Sequence, residues 1–517
     1  MGKYFKDHYD VIVVGGSLAG LSSALTLRKQ GLDVLVLEQH NLPGGVATSF
    51  VRGGVEMEAS LHEMSCIGSK EHPLKARKYL ESFGINVDWI EIPYAYRYVS
   101  NKINVVVRPG QGGDFSKPAE DIAKACNDTD GSIYNELIRF FKLCLYCHNV
   151  SDEVSGTHVS KVKMVMKYLD YVKILGYSFD EVIRSFKLPE LAIEILSAYW
   201  MYLGSPVTDL PFIIYSYIIA DYLGYGAYIP KNTSFEIALR MAEKAEEMGA
   251  QIEYGQRVEK ILVKNKKVTG VRLKSGVEIS ADQVISIAYP NTVYAQMIEP
   301  LSEVPEKAIK TVNSMDIGVS CFSIVLLLDK NYKDLGIKDY ATFYVSRDHL
   351  DTKEVFEQGK TMQKWDFITS VCMNVVNPKC SPEGTSVYSI TYLPDGNSFR
   401  DMSVEEYEEY KKLNIENFLK LESERLGVNL KEHILEMVVE TPITIAHYTT
   451  SYFGSIYGYR HTMTASCAAR EQKVNDERFI KGLEFAGAHH FAGDGMAPAI
   501  MSGEVAAKEL IKQRKDK

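Results

Sequence analysis

The chain has 517 residues, of which 46% are hydrophobic, 24% charged and 11% aromatic, an ordinary globular composition for two or three domains. Its 58 Lys and Arg against 67 Asp and Glu give a net charge of −9, which excludes the basic field of a nucleic-acid-binding protein. Eight scattered cysteines suit a reducing compartment better than a disulfide scaffold.

The amino-terminal region enters an apolar strand at Val11 without the basic, apolar and cleavage regions of a signal peptide. The most apolar stretch, 211–220, is ended by Asp221 and is shorter than the ~20 residues of a spanning helix. We therefore expect a cytoplasmic protein without a membrane-spanning segment. Peripheral contact with a membrane and the oligomeric state stay open.

The first element pattern is a strand, a glycine-rich turn and a helix. Residues 11–14 form a β-branched run that leads into Gly15-Gly16-Ser17-Leu18-Ala19-Gly20, and a second apolar strand, 34–37, ends in Glu38. Glycines let the chain approach a pyrophosphate, a helix N-terminus stabilises its charge, and a carboxylate accepts ribose hydroxyls. The pattern predicts a dinucleotide site formed by Gly15, Ser17, Gly20 and Glu38, with Ser17 at the position of the usual middle glycine.

A second glycine pair, Gly44-Gly45, follows Glu38 and distinguishes FAD proteins from ordinary dehydrogenases. With it the sequence resembles the FAD-dependent amine-oxidase and phytoene-desaturase superfamily. The resemblance implies that FAD is the cofactor and that Gly44 and Gly45 lie near its phosphates. Val46 stands where that family commonly has Arg.

Two later blocks continue the resemblance. An amphipathic helix over 235–248 and strand-like runs at 258–263 and 281–286 look like the family's middle segment, which implies that the Val258 backbone meets the adenine; the alternative is a core strand residue. Near the C-terminus, an apolar strand and a glycine-rich loop precede a helix predicted from Ala499. This block resembles the closing motif that holds the ribityl chain and pyrimidine, which implies contacts from Gly487, Asp494, Gly495 and Met496. The alternative for Asp494 is an exposed loop carboxylate.

The segment 454–459 is similar to retinol saturases, carotenoid isomerases and related desaturase-like proteins. The resemblance implies an α/β fold with a discontinuous Rossmann-like FAD domain and an inserted α+β substrate domain. We expect the FAD domain to comprise 1–70, 225–300 and 455–517, and the substrate domain 71–224 and 301–454.

The inserts are predicted to contain helices. Aromatic, apolar patterns at 134–141 and 196–202 suit either plain core or a tunnel for a long hydrophobic substrate. In the second insert, Ser403 and Glu406 form a capping box that predicts the start of an acidic amphipathic helix.

Cysteine and histidine pairs allow several interpretations. Cys144 and Cys147, followed by His148, have the spacing of a haem attachment or redox motif, but their apolar helical setting favours buried structural thiols. His489 and His490 lack further ligands nearby, so we expect no metal site, and one of the two is a candidate to face the flavin.

The candidate catalytic residues are His62 and His489. His62 lies in 58–63, a segment that in the resembled family passes near the isoalloxazine, and Glu58 takes the place of an acid found there. Histidine titrates near neutral pH and suits proton transfer. The alternative for His62 is a hydrogen-bonded loop residue.

The leading functional hypothesis is an FAD-dependent oxidoreductase that desaturates, saturates or isomerises a carbon–carbon double bond of a long hydrophobic molecule, such as a carotenoid, retinoid or unsaturated fatty acid. The alternatives are an FAD-dependent amine oxidase and a lipid-binding escort protein without enzymatic activity.

Overall fold

The computed structural model describes residues 5–154, 161–361, 365–465, 479–490 and 494–515. The strands in this part of the chain are β1 His8–Val14, β2 Val34–Leu37, β3 Ser49–Arg52, β4 Val55–Glu58, β5 Trp89–Glu91, β6 Tyr96–Val99, β7 Asn104–Val107, β8 Tyr228–Pro230, β9 Gln251–Glu253, β10 Val258–Lys264, β11 Lys267–Leu273, β12 Glu278–Ser286, β13 Ile298–Glu299, β14 Phe322–Leu328, β15 Ala341–Val345, β16 Phe367–Cys372, β17 Ser386–Tyr392, β18 Ile434–Glu440 and β19 Leu483–Phe485.

The α-helices are α1 Leu18–Arg28, α2 Lys75–Glu81, α3 Ser116–Ala125, α4 Ser132–Val154, α5 Lys161–Lys167, α6 Leu169–Ile174, α7 Phe179–Ile183, α8 Glu190–Ser197, α9 Phe212–Ile218, α10 Ser234–Glu247, α11 Pro290–Thr292, α12 Glu306–Asn313, α13 Thr352–Gln358, α14 Val404–Leu426, α15 Pro442–Thr449 and α16 Met496–Lys515. A π-helical segment, Ile219–Tyr225, continues α9.

The first sheet has the strand order β13-β10-β11-β12-β1-β2-β9, and β19 pairs with β12. Pairing is parallel from β12 through β1 and β2 to β9, and β10, β11 and β12 form an antiparallel meander. All four residues of β2 are buried, as expected for a parallel sheet covered on both faces. The glycine turn after β1 and Glu38 after β2 therefore lie at the same carboxyl edge, where open parallel sheets bind ligands.

The strand and helix limits predicted in and around this sheet agree closely with the structure. β2 has the limits predicted from its apolar run, and α10 differs from the predicted helix by one residue at each end. Helix α16 begins at Met496, three residues before the predicted Ala499, because Gly495 ends the loop with a positive φ of 106°. The α/β fold class predicted from the sequence is confirmed.

The second sheet has the order β18-β14-β17-β16-β15-β6-β7 and draws its strands from both inserts. One face packs against the helices of the first insert, where the Trp200 and Phe367 rings lie 5.8 Å apart. The other face packs against α14, where the Tyr392 and Phe418 rings lie 5.1 Å apart. The two inserts thus share one mixed sheet, in which the β15–β6 pair that joins them is parallel and the other pairs are antiparallel.

Helix α14 begins at the predicted capping box, in which the Ser403 hydroxyl accepts the Glu406 N–H and the Glu406 carboxylate accepts the Ser403 N–H.

Cys144 and Cys147 are fully buried in α4, as predicted for structural thiols. Burial raises the pKa of the Cys147 thiol to about 12, so this cysteine stays protonated at neutral pH. The thiolate form, which acts as a nucleophile or metal ligand, is therefore disfavoured.

Over the described residues, every helix is too short or too polar to cross a lipid bilayer.

Candidate active site

Two glycine turns pack against each other at the carboxyl edge of the first sheet. A Cβ on Gly20 would lie 1.9 Å from the Gly15 carbonyl oxygen, so only glycine allows α1 to approach β1 this closely. The Gly44 N–H donates to the Gly16 carbonyl oxygen at 2.8 Å, and a Cβ on Gly45 would lie 3.0 Å from that of Ser17. The two turns form a cradle of backbone with little side-chain cover.

Ser17 is the N-cap residue of α1, but its side chain makes no capping hydrogen bond. The first N–H groups of α1 therefore lack the partner that a capping hydroxyl usually gives, and this is the end of the helix that attracts anions. Ser17, Gly15, Gly44 and Gly45 all line the large cavity described below.

Glu38 is buried, with 5% of its surface exposed, and its carboxylate holds the turns in place. One oxygen accepts the Gly16 N–H at 2.6 Å, and the other accepts the His40 N–H at 2.8 Å. A carboxylate has about four acceptor positions, so these two bonds leave capacity for ligand hydroxyls. The Gln256 N–H donates to the Glu38 carbonyl oxygen at 2.8 Å, which places Val258 at the same end of the cavity.

The C-terminal block reaches the cavity through the contact of α16 with α1. The Ser22 hydroxyl donates to the Ile500 carbonyl oxygen at 2.8 Å, and the Ser23 hydroxyl donates to the Gly503 carbonyl oxygen at 3.0 Å. These bonds fix the N-terminus of α16, so that Gly495 and Met496 line the cavity. Gly487, which also lines it, donates its N–H to the Ser502 hydroxyl at 2.9 Å.

A buried histidine–aspartate hydrogen bond that the sequence analysis missed lies beside this helix. The His461 Nε2 and Asp494 Oδ1 atoms are 2.5 Å apart, and both residues line the cavity. Asp494 Oδ2 and His461 Nδ1 are buried without a hydrogen-bond partner in the described part of the chain. Each of these two atoms offers a hydrogen-bonding position to a ligand in the cavity. No sequence motif links the two residues, because 32 residues lie between them in the chain.

The cavity has a volume of about 1560 Å³ and continues beyond the glycine turns into the first insert. Its apolar lining there comes from the α5–α6 region, the segment after α8, and α9: Met164, Leu175, Met201, Leu203, Ile213, Ile214 and Ile218. The predicted dinucleotide residues and the aromatic insert helices therefore border one continuous space.

His62 and Glu63 both line the cavity. Burial lowers the pKa of His62 to about 4, so its imidazole is neutral at pH 7. Burial raises the pKa of Glu63 to about 8, although the Tyr202 hydroxyl donates to its Oε1 at 2.9 Å. Glu63, which the sequence analysis missed, is thus a protonated carboxylic acid at neutral pH, next in the chain to the histidine that the sequence singled out.

The remaining candidates have distinct positions. His489 lines the cavity and lies 5.5 Å from the Tyr289 ring, measured between centroids. His490 is buried, and its N–H donates to the Gly487 carbonyl oxygen at 3.0 Å. Glu58 binds the first residue of α10, where the Ser234 N–H donates to its carboxylate at 2.7 Å. Glu58 therefore caps a helix.

Within the described ranges, no group of three His, Cys, Asp or Glu side chains is placed to hold a metal ion.

The donor set fits an FAD molecule. The cradle leaves backbone N–H groups and a helix N-terminus for phosphates, the buried Glu38 offers acceptors for ribose, and Asp494 has an unpartnered oxygen for a polar ring edge. The cavity exceeds the roughly 300–1,000 Å³ of an ordinary ligand pocket, which leaves room for a second molecule.

Comparison with curated proteins finds relatives along almost the whole chain. The chain is 23% identical to the 4,4'-diapolycopene oxygenase of Methylomonas sp., with 98% of each protein covered. It is 24% identical to the all-trans-retinol 13,14-reductase of Danio rerio, over 92% of this chain and 82% of the relative. It is also 24% identical to the chloroplastic prolycopene isomerase of Daucus carota, over 97% of this chain and 80% of the relative.

Solved structures share the fold. An oxidoreductase from Methanosarcina mazei has a TM-score of 0.58 at 16% identity, covering 97% of this chain and all of the other. A putrescine oxidase has a TM-score of 0.62 at 14% identity, covering 98% and 99% of the two chains. The model of the family described as flavin containing amine oxidoreductase matches residues 18–511. Because that match spans most of the chain, the protein belongs to this family of flavin enzymes, and its cofactor is FAD.

Proposed function

We propose that the protein is an FAD-dependent oxidoreductase that acts on a carbon–carbon double bond of a long hydrophobic unsaturated molecule, such as a carotenoid, retinoid or unsaturated fatty acid. The reaction is a desaturation, a saturation or an isomerisation. The relatives named as an oxygenase of diapolycopene, a reductase of retinol and an isomerase of prolycopene support this class of substrate.

The observation that carries the proposal is the continuous cavity. Its dinucleotide end is polar, with Glu38 and the glycine turns, whereas its insert end is lined by methionine, leucine and isoleucine side chains. Apolar side chains bind a long hydrocarbon chain by removing its surface from water. A small cationic amine needs no apolar extension of this kind, so the lipid hypothesis is favoured over amine oxidation.

We propose the following contacts with FAD. The backbone of Gly15, Ser17, Gly44 and Gly45 faces the phosphates, Gly20 allows the helix to approach, and Glu38 accepts ribose hydroxyls. The Val258 backbone meets the adenine. The flavin end is held by Gly487, Asp494, Gly495 and Met496.

We also propose the domain division expected from the sequence: 1–70, 225–300 and 455–517 bind FAD, and 71–224 and 301–454 bind the substrate. Support comes from the strands, since those of the first sheet fall in the former ranges and those of the second sheet in the latter.

When bound, FAD exchanges a hydride with a carbon atom of the substrate. The protein must then handle the accompanying proton and exclude water. We propose that Glu63, protonated at neutral pH, donates the proton that the substrate gains when its double bond is saturated, and that the Tyr202 hydroxyl fixes the orientation of its carboxyl group. His62 and His489 remain proposed catalytic residues. With a pKa of about 4, His62 serves as a neutral hydrogen-bonding group and not as a proton-supplying imidazolium.

We propose peripheral membrane contact through α5 and α6, next to the part of the cavity that Met164 and Leu175 line. Val165, Met166 and Leu169 are 48%, 82% and 48% exposed, and the neighbouring Met164 and Leu175 line the cavity. Exposed apolar side chains beside a lipid-binding cavity would insert at a membrane interface. In a liposome sedimentation assay, the double variant Met166→Asp with Leu169→Asp should no longer sediment with the liposomes, whereas Leu301→Asp, at a residue 58% exposed elsewhere, should still sediment. Equal sedimentation of both variants would refute this contact.

An anaerobic titration tests the proposed function. The oxidised and the chemically reduced enzymes are mixed separately with retinoids, carotenoids, unsaturated fatty acids and amines, and the flavin absorbance is recorded. A polyene or unsaturated lipid should change the flavin spectrum. A response to amines alone would establish the amine oxidase alternative, and binding of lipid without flavin or turnover would establish the escort protein.

A further inference from the structure

One side of the apolar part of the cavity is strongly polar. Lys75, Asp152, Tyr217 and Asp221 all line the cavity and lie on four different helical segments, α2, α4, α9 and the π-helical segment. We call these four residues the polar wall. The apolar Ile213, Ile214 and Ile218 line the cavity beside it.

The polar wall is tightly connected. The Lys75 ammonium lies 2.8 Å from Asp152 Oδ1 and donates to the Asp152 carbonyl oxygen at 3.4 Å. The Tyr217 hydroxyl donates to Asp152 Oδ1 at 2.5 Å. These contacts leave Asp152 Oδ2 with acceptor capacity and Lys75 with a third N–H, since an ammonium has three donors.

The Asp221 carboxylate is hydrogen-bonded to the imidazole of His148. Its Oδ1 lies 2.9 Å from His148 Nε2, and each of the two side chains is only 5% exposed. Burial lowers the pKa of His148, but the hydrogen bond and the charge of Asp221 outweigh that effect and raise it overall. Asp221 lies in the π-helical segment Ile219–Tyr225, and π-helical turns are frequent at functional sites.

The charges of the polar wall nearly cancel. Lys75 neutralises Asp152, and His148 neutralises Asp221 only when the imidazole is protonated, so the wall is neutral or carries one negative charge. The Lys75 and Asp152 side chains are 32% and 26% exposed, so water can satisfy their free donor and acceptor in the absence of a ligand. A bound carboxylate would add a further negative charge beside Asp152 and Asp221, whereas a hydrocarbon end would displace that water without replacing its hydrogen bonds.

We infer that the polar wall is a subsite for a hydroxyl group of the hydrophobic substrate. A hydroxyl donates one hydrogen bond and accepts another without adding charge, which matches the Asp152 carboxylate and the Lys75 ammonium. The substrate class is therefore a long unsaturated alcohol, and not an acid or a pure hydrocarbon. This inference rests on the proposed function.

Three retinoids that differ only at the terminal carbon test the subsite: all-trans-retinol, all-trans-retinoic acid and the hydrocarbon axerophtene. Each is titrated into the oxidised holoenzyme under anaerobic conditions, and binding is followed by quenching of protein fluorescence. Retinol should bind roughly tenfold more tightly than either of the others, as expected for a hydrogen bond to a charged group. Equal binding of all three, or tightest binding of the acid, would overturn the inference and leave the proposed function intact. Binding of none would overturn the inference, and the anaerobic titration with carotenoids and fatty acids would then decide the proposed function.

The variants Lys75→Met and Tyr217→Phe locate the effect. Each should reduce the preference for retinol over axerophtene while the affinity for axerophtene and the FAD content stay unchanged. Lys78→Met, at an exposed residue of the same helix, is the control and should keep the full preference. If Lys75→Met fails to fold, Tyr217→Phe, which keeps the ring, decides the question. An unchanged preference in Tyr217→Phe would refute the assigned site.

Discussion

Replacement of Glu38 by Ala tests the ribose contact and thereby the orientation of the whole cofactor. The carboxylate is buried and uses two of its acceptor positions for the Gly16 and His40 N–H groups, so the remaining positions are available to ribose hydroxyls. Hydrogen bonds to a charged group contribute about 1.5–3 kcal/mol, so the loss should weaken FAD binding by roughly ten- to a hundredfold. Glu38→Gln keeps one of the two acceptor oxygens and should give an intermediate loss.

The assay is a titration of apoprotein with FAD, followed by quenching of flavin fluorescence, with thermal unfolding measured on the same samples. Glu38→Ala also leaves two backbone N–H groups without their acceptor, so a decrease in the unfolding temperature is expected besides the loss of affinity. Glu243→Ala, at an exposed residue of α10, is the matched control. Wild-type FAD affinity in a folded Glu38→Ala protein would refute the ribose assignment.

Three further predictions concern residues inside the protein. Cys144→Ala combined with Cys147→Ala should leave turnover intact and yield no haem absorbance, because both thiols are buried in α4; loss of turnover would contradict a purely structural role. His62→Phe should slow turnover by about 10²-fold or less while FAD stays bound, as measured by steady-state kinetics and flavin absorbance; complete loss of activity would give His62 a larger role. Wild-type turnover should decline as the pH rises above 8, because burial raises the Glu63 pKa to about 8, and Glu63→Gln should remove this decline. The free energy of unfolding of the wild type, relative to that of Glu63→Gln, should fall as the pH rises from about 5 to about 8, since the folded state favours the protonated carboxyl group. A pH profile unchanged by Glu63→Gln would eliminate this residue as the proton carrier.

The strand, glycine turn and helix at the polar end of the cavity were predictable because the rules that govern them are local. A β-branched strand, a glycine turn and a helix follow one another within 20 residues, and each element reflects propensities of its own segment. The limits of β2 and the capping box at Ser403 were predictable for the same reason.

The chemistry beyond the glycine turns depends on contacts between distant segments. The pKa of Glu63 depends on burial near Tyr202, which is 139 positions away. Asp494 meets His461 across 33 positions, and Glu58 caps a helix that begins 176 positions later. Desolvation and long-range pairing decide the protonation of these groups, and neither can be read from neighbouring residues in the sequence.

The mass of the reaction product tests the central claim most directly. The oxidised and reduced enzymes are incubated anaerobically with a set of long unsaturated alcohols, polyenes and fatty acids, and the products are analysed by chromatography with mass spectrometry. We expect one of these lipids to lose two hydrogens, to gain two hydrogens, or to keep its mass with an altered retention time, which identifies a desaturase, a saturase or an isomerase. Unchanged mass and retention of every lipid, together with oxidation of an amine, would contradict the account.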